Sequence, residues 1–334
     1  MKVLPSPQVS MGVFGRVIML MMPITPKFII RWVANRYVAG PDLESALDVM
    51  REISAQGACF TVDVLGEEIT TLAEADFFVE EYARVLDAVV AEGLDVNISL
   101  KPTAFGLLID QSAAVANIER ITRKAAENEI FVRLDMEDHR VTQPTIDLVT
   151  TMHERGLTNI GTVLQARLFR TGEDIANLSE KLASDSDVRI CKGIYLESEE
   201  IAHTGYHQIV EATNRAIDQL LDAGSYTAIA SHDMPVINHS LAALSERGMG
   251  PVTNESGEEG ISLRKGKGPG YEFQMLLGVR GNIRRRLASQ GHLTRVYIPY
   301  GSRWYEYSMR RLRENPDVAW HIAKSIIMPW TNRR

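Results

Sequence analysis

The chain has 334 residues, of which 45% are hydrophobic and 24% charged, a balance that excludes disordered and fibrous proteins and supports a large core. The formal net charge is −7, yet residues 281–334 hold eleven lysines and arginines against three acidic residues. Because no nucleic-acid motif accompanies this basic end, we expect a small anion or a phospholipid surface as its partner, and no nucleic acid.

Residues 1–58 are predicted to form a helical arm, with breaks at Pro23, Pro26 and Pro41. Residues 12–37 interleave basic side chains with Met, Ile, Phe and Trp. We interpret this stretch as helix packed over the next domain, and the alternative is an amphipathic contact with a membrane surface.

Residues 59–334 are predicted to form one α/β domain, because short β-rich runs alternate there with longer stretches of helical periodicity. The runs cover residues 59–65, 96–100, 130–135, 160–165, 188–191, 226–230, 271–276 and 295–299. Eight such units in succession predict a closed, TIM-like (β/α)₈ barrel. An open doubly wound sheet is the alternative, but the expected glycine-rich turn is missing after the first run.

Polar residues follow the predicted strands at their carboxyl ends, where barrel enzymes place their catalytic groups. Each of them also has a plain structural explanation. Asp135 could cap the next helix, and His232 could be a hydrogen-bonded structural histidine. His203 and His207 are four residues apart but lack the glutamate of an H-E-x-x-H motif, so we expect no metal site.

Arg310 and Arg311 form a second candidate site. Adjacent residues on a helix point about 100° apart, so two arginines that converge need a shared partner. Guanidinium groups suit a carboxylate or a phosphate, and Glu314 is placed to orient one of them. The alternative is an exposed basic helix face.

Taken in order, these segments resemble the proline dehydrogenase family over about residues 36–320. The matching segments are DVLGE at 63–67, SLK at 99–101, LDME at 134–137, VLQA at 163–166, VRICKGIY at 188–195, SHD at 231–233, YEFQ at 271–274, YIPYG at 297–301 and Y-x-x-R-R-x-x-E at 307–314.

The resemblance implies a flavoenzyme that oxidises L-proline to Δ1-pyrroline-5-carboxylate, the first step of proline catabolism, by hydride transfer to N5 of bound FAD. It implies that Arg310 and Arg311 bind the substrate carboxylate and that Glu67 pairs with one of them. The other substrate-binding residues would be Lys101, Leu276 and Tyr297. The catalytic residues would be Asp135, Arg189, Lys101 and Tyr297. The cofactor would be held by Met136, Gln165, Arg189, Lys192, Gly193, Ile194, Ser231 and His232.

The resemblance also implies a quinone electron acceptor. With the basic, apolar arm, this leads us to expect a cytoplasmic protein that contacts the inner face of the cytoplasmic membrane. We expect a monofunctional enzyme, without an aldehyde dehydrogenase half. The departures from the family pattern are Cys191, Ile194, Ser231 and Asp233, which bear on flavin affinity and potential.

Three alternatives stay open from the sequence. A hydroxyproline dehydrogenase would share most of these residues, although the resemblance implies that Tyr297 crowds the carbon that would carry the hydroxyl. A Schiff-base aldolase would use Lys101 or Lys192 as its nucleophile. A flavin-binding regulator would bind proline without turnover.

Overall fold

A computed structural model describes residues 31, 34–251, 270–305, 307 and 308. Its eight parallel strands form a closed barrel in chain order. The strands are β1 (Cys59–Val64), β2 (Val96–Leu100), β3 (Phe131–Leu134), β4 (Ile160–Gln165), β5 (Asp187–Cys191), β6 (Tyr226–Ala230), β7 (Gly270–Leu276) and β8 (Thr294–Tyr300). The barrel predicted from the sequence is therefore confirmed. Three predicted strands coincide with β2, β4 and β6, and the other boundaries differ by one residue.

Helices surround the barrel. They are α1 (Leu43–Ala55), α2 (Leu72–Ala91), α3 (Gln111–Ala126), α4 (Thr142–Glu154), α5 (Thr171–Leu182), α6 (Tyr206–Asp222), α7 (Met234–Glu246) and α8 (Gly281–Ser289). Helix α1 belongs to the predicted arm and packs against β1 and β8, while residues 1–30 lie outside the described residues. Among the helices described, none is both long and apolar enough to span a bilayer.

Strand alternation decides which side chains enter the barrel. In β1, Phe60, Val62 and Val64 are buried in the hydrophobic core that lies between the strands and the helices. The residues between them, Thr61 and Asp63, project to the other side of the sheet because successive side chains in a strand alternate. The same alternation in β2 and β8 directs polar side chains into the barrel.

The barrel interior is therefore filled largely by charged and polar side chains. Arg133 is fully buried and donates to Asp187 at 2.5 Å, and Arg295 donates to Glu272 at 2.9 Å. Barrel interiors are more often filled by layers of branched aliphatic side chains. Buried charges are stable only when paired, so these ion pairs are a structural requirement of the interior.

Candidate active site

Asp135 organises the cluster at the carboxyl ends of the strands. Its Oδ1 accepts a hydrogen bond from Arg189 at 2.6 Å, and its Oδ2 accepts one from the hydroxyl of Tyr297 at 2.6 Å. The guanidinium carbon of Arg189 lies 5.3 Å from the centre of the Tyr297 ring. Asp135 thus connects side chains from β5 and β8, and it does not serve as a helix cap, the plain explanation considered above.

Arg189 is held by three partners besides the aromatic ring. Its Nε donates to Gln274 at 2.5 Å, and its second terminal nitrogen donates to the hydroxyl of Ser99 at 3.1 Å. With Asp135, these contacts occupy all three nitrogens of a buried guanidinium. The position of its positive charge is consequently fixed before any ligand binds.

Lys101 forms the second part of the cluster, through a buried ion pair with Asp63. Burial lowers the pKa of Lys101, but the charges of Asp63 and Asp135 outweigh this effect and raise the pKa above its usual value. Burial raises the pKa of Asp63 to about 6, against the opposing charge of Lys101. Lys101 is therefore an ammonium group at neutral pH.

Tyr297 is a neutral hydrogen-bond donor in this cluster. Burial, followed by the charges of Asp135 and Asp63, raises the pKa of Tyr297 well above its usual value. Its hydroxyl proton is directed to Asp135. The face of the site that Tyr297 forms is for this reason rigid.

A buried carboxyl group, Glu137, lies behind this cluster. It accepts hydrogen bonds from the backbone and the hydroxyl of Thr103, at 3.1 and 2.5 Å. Burial raises the pKa of Glu137 to about 7, and the charge of Glu67 adds to the rise while the Thr103 hydrogen bonds oppose it. Glu67 is thus close enough to act on this wall of the site.

We expect Glu137→Gln to stabilise the protein by about 2 kcal/mol at pH 8 and to change little at pH 5. The pKa of Glu137 in the folded protein, about 7, exceeds the ordinary value of 4.5. The protonated side chain therefore stabilises the folded protein fully below about pH 4.5, and this stabilisation is lost as the pH rises through 7. Glutamine imitates the protonated form at every pH. Urea unfolding at both pH values measures the effect, with exposed Glu127→Gln as the control. An equal change at pH 5 and pH 8 would contradict this assignment.

A second group of predicted residues lies at the ends of β3 to β5. Met136 and Gln165 are buried, and the Gln165 amide donates to the backbone carbonyl of Glu137 at 2.7 Å. Gly193 has φ +93°, and a Cβ there would lie 2.9 Å from the Gln165 side chain. The positive φ and this close approach both favour glycine, so the backbone after β5 can pass next to the Gln165 and Arg167 side chains.

Side chains of a different kind face solvent at the same end of the barrel. Ile194 is 48% exposed and Leu276 is 37% exposed. Lys192 is ion-paired with Asp233, and the hydroxyl of Ser231 accepts from the Asp233 backbone at 3.1 Å. Exposed apolar surface next to a cation is a combination that suits a flat ring carrying phosphate groups.

His232 presents a defined tautomer. Its Nε2 accepts a hydrogen bond from the backbone N–H of Leu276 at 3.0 Å, so the neutral ring carries its hydrogen on Nδ1. Burial, and after it the charge of Arg280, lowers the pKa of His232 to about 4. The ring is consequently neutral at physiological pH and can donate from Nδ1.

The structure brings the predicted site residues into two adjoining groups. Glu67, Lys101, Asp135, Arg189 and Tyr297 form one, and the other residues predicted to hold FAD lie at the carboxyl ends of β3, β4, β5 and β6. Arg310 and Arg311 lie outside the described residues, so their predicted role stays a prediction. No cluster of acidic, histidine or cysteine side chains that could hold a metal occurs in the described ranges.

Four side chains that hold the site together have no role in the predictions made from the sequence. These are Asp63, Ser99, Glu137 and Gln274. The sequence could have predicted three of them, because the alternation of side chains along β1, β2 and β7 places Asp63, Ser99 and Gln274 on the face of the sheet that lines the barrel interior. Glu137 follows β3 in a loop, where alternation gives no direction.

A closed parallel barrel with a buried cluster of paired charges at the carboxyl ends of its strands has the architecture of a barrel enzyme. The sequence model of the proline dehydrogenase family matches residues 46–323. The chain belongs to the proline dehydrogenase family.

Individual relatives agree with this assignment. The chain is 34% identical to proline dehydrogenase 2 of Bacillus subtilis (strain 168) over 287 residues, which cover 86% of this chain and 88% of that protein. It is 32% identical to proline dehydrogenase of Deinococcus radiodurans over 298 residues, covering 88% and 90%.

A solved structure of proline utilization A from Bdellovibrio bacteriovorus, inactivated by N-propargylglycine, has the same fold. The TM-score is 0.75 at 22% identity, and the match covers 89% of this chain. The chain spans about a third of that protein, as the match covers 34% of its length.

Proposed function

We propose that this chain oxidises L-proline to Δ1-pyrroline-5-carboxylate with FAD as its cofactor, as the first step of proline catabolism. The observation that carries the proposal is Asp135, which binds Arg189 and Tyr297 at once beside the Lys101–Asp63 ion pair. Family membership supports the substrate class.

The cluster supplies the electrostatic environment that proline oxidation needs. Proline arrives with a cationic ring nitrogen, which must lose a proton before hydride leaves the neighbouring carbon. Lys101 and Arg189 each have a carboxylate partner, so they would lower the pKa of that nitrogen where their cationic groups lie nearer to it than those carboxylates do, because like charges disfavour protonation. FAD, when bound, supplies the acceptor of the hydride.

The remaining substrate contacts are proposed from the family resemblance. Arg310 and Arg311 would bind the carboxylate, and Glu67 would pair with one of them. Leu276 would contact the apolar ring. Tyr297, held by Asp135, would line the opposite side and limit substituents on that part of the ring.

The donor set of the second group fits FAD. Lys192 offers a cation for phosphate, and Ile194 offers apolar surface for the ring system. Ser231 and His232 offer hydrogen-bonding groups next to them. The other residues proposed to hold the cofactor are Met136, Gln165, Arg189 and Gly193.

An absorption spectrum of the purified protein before and after anaerobic L-proline tests the proposal. We expect flavin bands that bleach with L-proline and stay unchanged with hydroxyproline. Bands that do not respond to proline would overturn the substrate, and absence of flavin after FAD addition would overturn the cofactor. Bleaching by hydroxyproline alone would favour the hydroxyproline dehydrogenase.

The aldolase alternative is disfavoured by the state of its lysines. Schiff-base formation needs a neutral amine, whereas the charges around Lys101 raise its pKa and Lys192 is ion-paired. Borohydride with substrate is therefore expected to trap no adduct.

Electron transfer to a membrane quinone completes the proposal. It places the protein in the cytoplasm with reversible contact at the inner membrane face, through the proposed arm of residues 1–58 that precedes the barrel domain of residues 59–334. Flotation with liposomes of the chain and of a version lacking residues 1–35 tests the contact, and equal behaviour would contradict it.

A further inference from the structure

Asp233 is the N-cap residue of α7, but its side chain does not cap the helix. An aspartate at this position usually accepts a hydrogen bond from the second or third backbone N–H of the helix. Within the part of the chain that the structure describes, its carboxylate instead binds Lys192 Nζ and the hydroxyl of Tyr206, the latter at 2.8 Å. The Asp233 side chain thus belongs to a cluster with Lys192 and Tyr206 instead of capping α7.

Lys192 is held in this cluster from two sides. Its ammonium nitrogen lies 4.5 Å from the centre of the Tyr206 ring, whose hydroxyl binds the same oxygen of Asp233 as Lys192 does. The side chains of Lys192 and Asp233 are 27% and 23% exposed, so both are accessible at the barrel rim. A cation in this position can exchange its carboxylate partner for a dissolved anion.

Arg280 is a second cation near Asp233. It donates to the backbone carbonyl of His232 at 2.8 Å. The hydrogen bonds from Lys192 and Tyr206, and the charges of Lys192 and Arg280, together hold the pKa of Asp233 below its usual value against the effect of burial. Asp233 is therefore a full negative charge between two cations.

We propose that Asp233 competes with the phosphate groups of FAD for Lys192 and so weakens cofactor binding. The proposal rests on the proposed function, because it takes FAD as the cofactor. With Asp233 ionised, the three charged side chains sum to +1. With asparagine there, they sum to +2, and the amide oxygen can still accept from Tyr206.

We expect Asp233→Asn to bind FAD about tenfold more tightly than the unchanged chain. The flavin-free 334-residue protein is titrated with FAD, and flavin fluorescence gives the dissociation constant. The gain should shrink as salt is added, since it is electrostatic in origin. Riboflavin lacks phosphate, so its affinity should be the same in both proteins.

Asp222→Asn is the matched control, because Asp222 is also an ion-paired aspartate and lies at the other end of α6, bound to Arg247 at 2.7 Å. Its FAD affinity should equal that of the unchanged chain. In a Lys192→Met background, Asp233→Asn should bring no gain, because the cation for which Asp233 competes is gone.

Equal or weaker FAD binding by Asp233→Asn would overturn the proposal, as would an undiminished gain in the Lys192→Met background. A gain of the same size for riboflavin would also overturn it. Absence of FAD binding in every protein, the unchanged chain included, would instead overturn the proposed function.

Discussion

Replacing Asp135 by asparagine is expected to lower kcat/KM for L-proline about a hundredfold. Arg189 and Tyr297 bind different oxygens of Asp135, and asparagine has an NH2 group in place of one of them, so one of the two donors would meet another donor. The guanidinium charge also loses its buried counterion, and its position relative to the substrate shifts. Steady-state kinetics with L-proline and an artificial acceptor measure the loss.

A matched control separates this effect from general damage to the barrel. Asp187→Asn alters another buried aspartate–arginine pair, which Asp187 forms with Arg133. Asp187 is the first residue of β5 and lies at the opposite end of the barrel. We expect Asp187→Asn to lower stability and to retain kcat/KM at temperatures where the protein is folded. A comparable loss of kcat/KM in both variants would contradict the role assigned to Asp135.

Lys101→Met is expected to lower the free energy of unfolding by about 3–5 kcal/mol, the usual cost of leaving a buried charge without its partner. Asp63 is the charge left behind. The cost should grow from pH 5 to pH 8, because the charge of Lys101 lowers the pKa of Asp63 against the effect of burial, and its removal raises that folded pKa further above the unfolded value. The variant therefore loses more stability than the unchanged protein as the pH rises. Urea unfolding at the two pH values measures it.

The double variant Lys101→Met/Asp63→Asn distinguishes stability from function. Removing both charges should restore most of the lost stability, because no unpaired ion remains. Turnover of L-proline should stay low, since the ammonium group is still missing. A double variant as unstable as Lys101→Met, or one with normal turnover, would contradict the proposed part of Lys101.

The fold was predictable because each strand carries its own signal. The runs at 96–100, 160–165 and 226–230 are apolar, β-rich and flanked by turn residues, so β2, β4 and β6 coincide with the predictions. Chain order then leaves few arrangements for eight parallel strands. The predicted strand at 130–135 is one residue too long at each end. The N–H of Ile130 bonds back to Ala125 at the end of α3, whereas the N–H of Asp135 still bonds to Leu100 of β2 just beyond the end of β3.

The sequence predicted which residues belong to the candidate site, but not which of them bind each other. Resemblance selected Asp135, Arg189 and Tyr297, but no sequence pattern shows that one carboxylate binds both of the others. Such contacts join residues that are far apart in the chain, as with Arg189 and Gln274, and depend on barrel register. The raised pKa of Glu137 likewise depends on burial and on nearby Glu67, against the opposing hydrogen bonds of Thr103, and only the three-dimensional structure supplies these neighbours.

The polar interior links the rim of the barrel to its base through Gln274. The oxygen of this amide faces Arg189, its nitrogen faces Glu272, and Glu272 in turn binds Arg295. A glutamate at 274 would repel Glu272, and an apolar residue would remove one hydrogen bond from each of the buried charges of Arg189 and Glu272. We therefore expect substitutions at these four positions to be coupled during evolution, which ties the deep interior of the barrel to the rim of the candidate site.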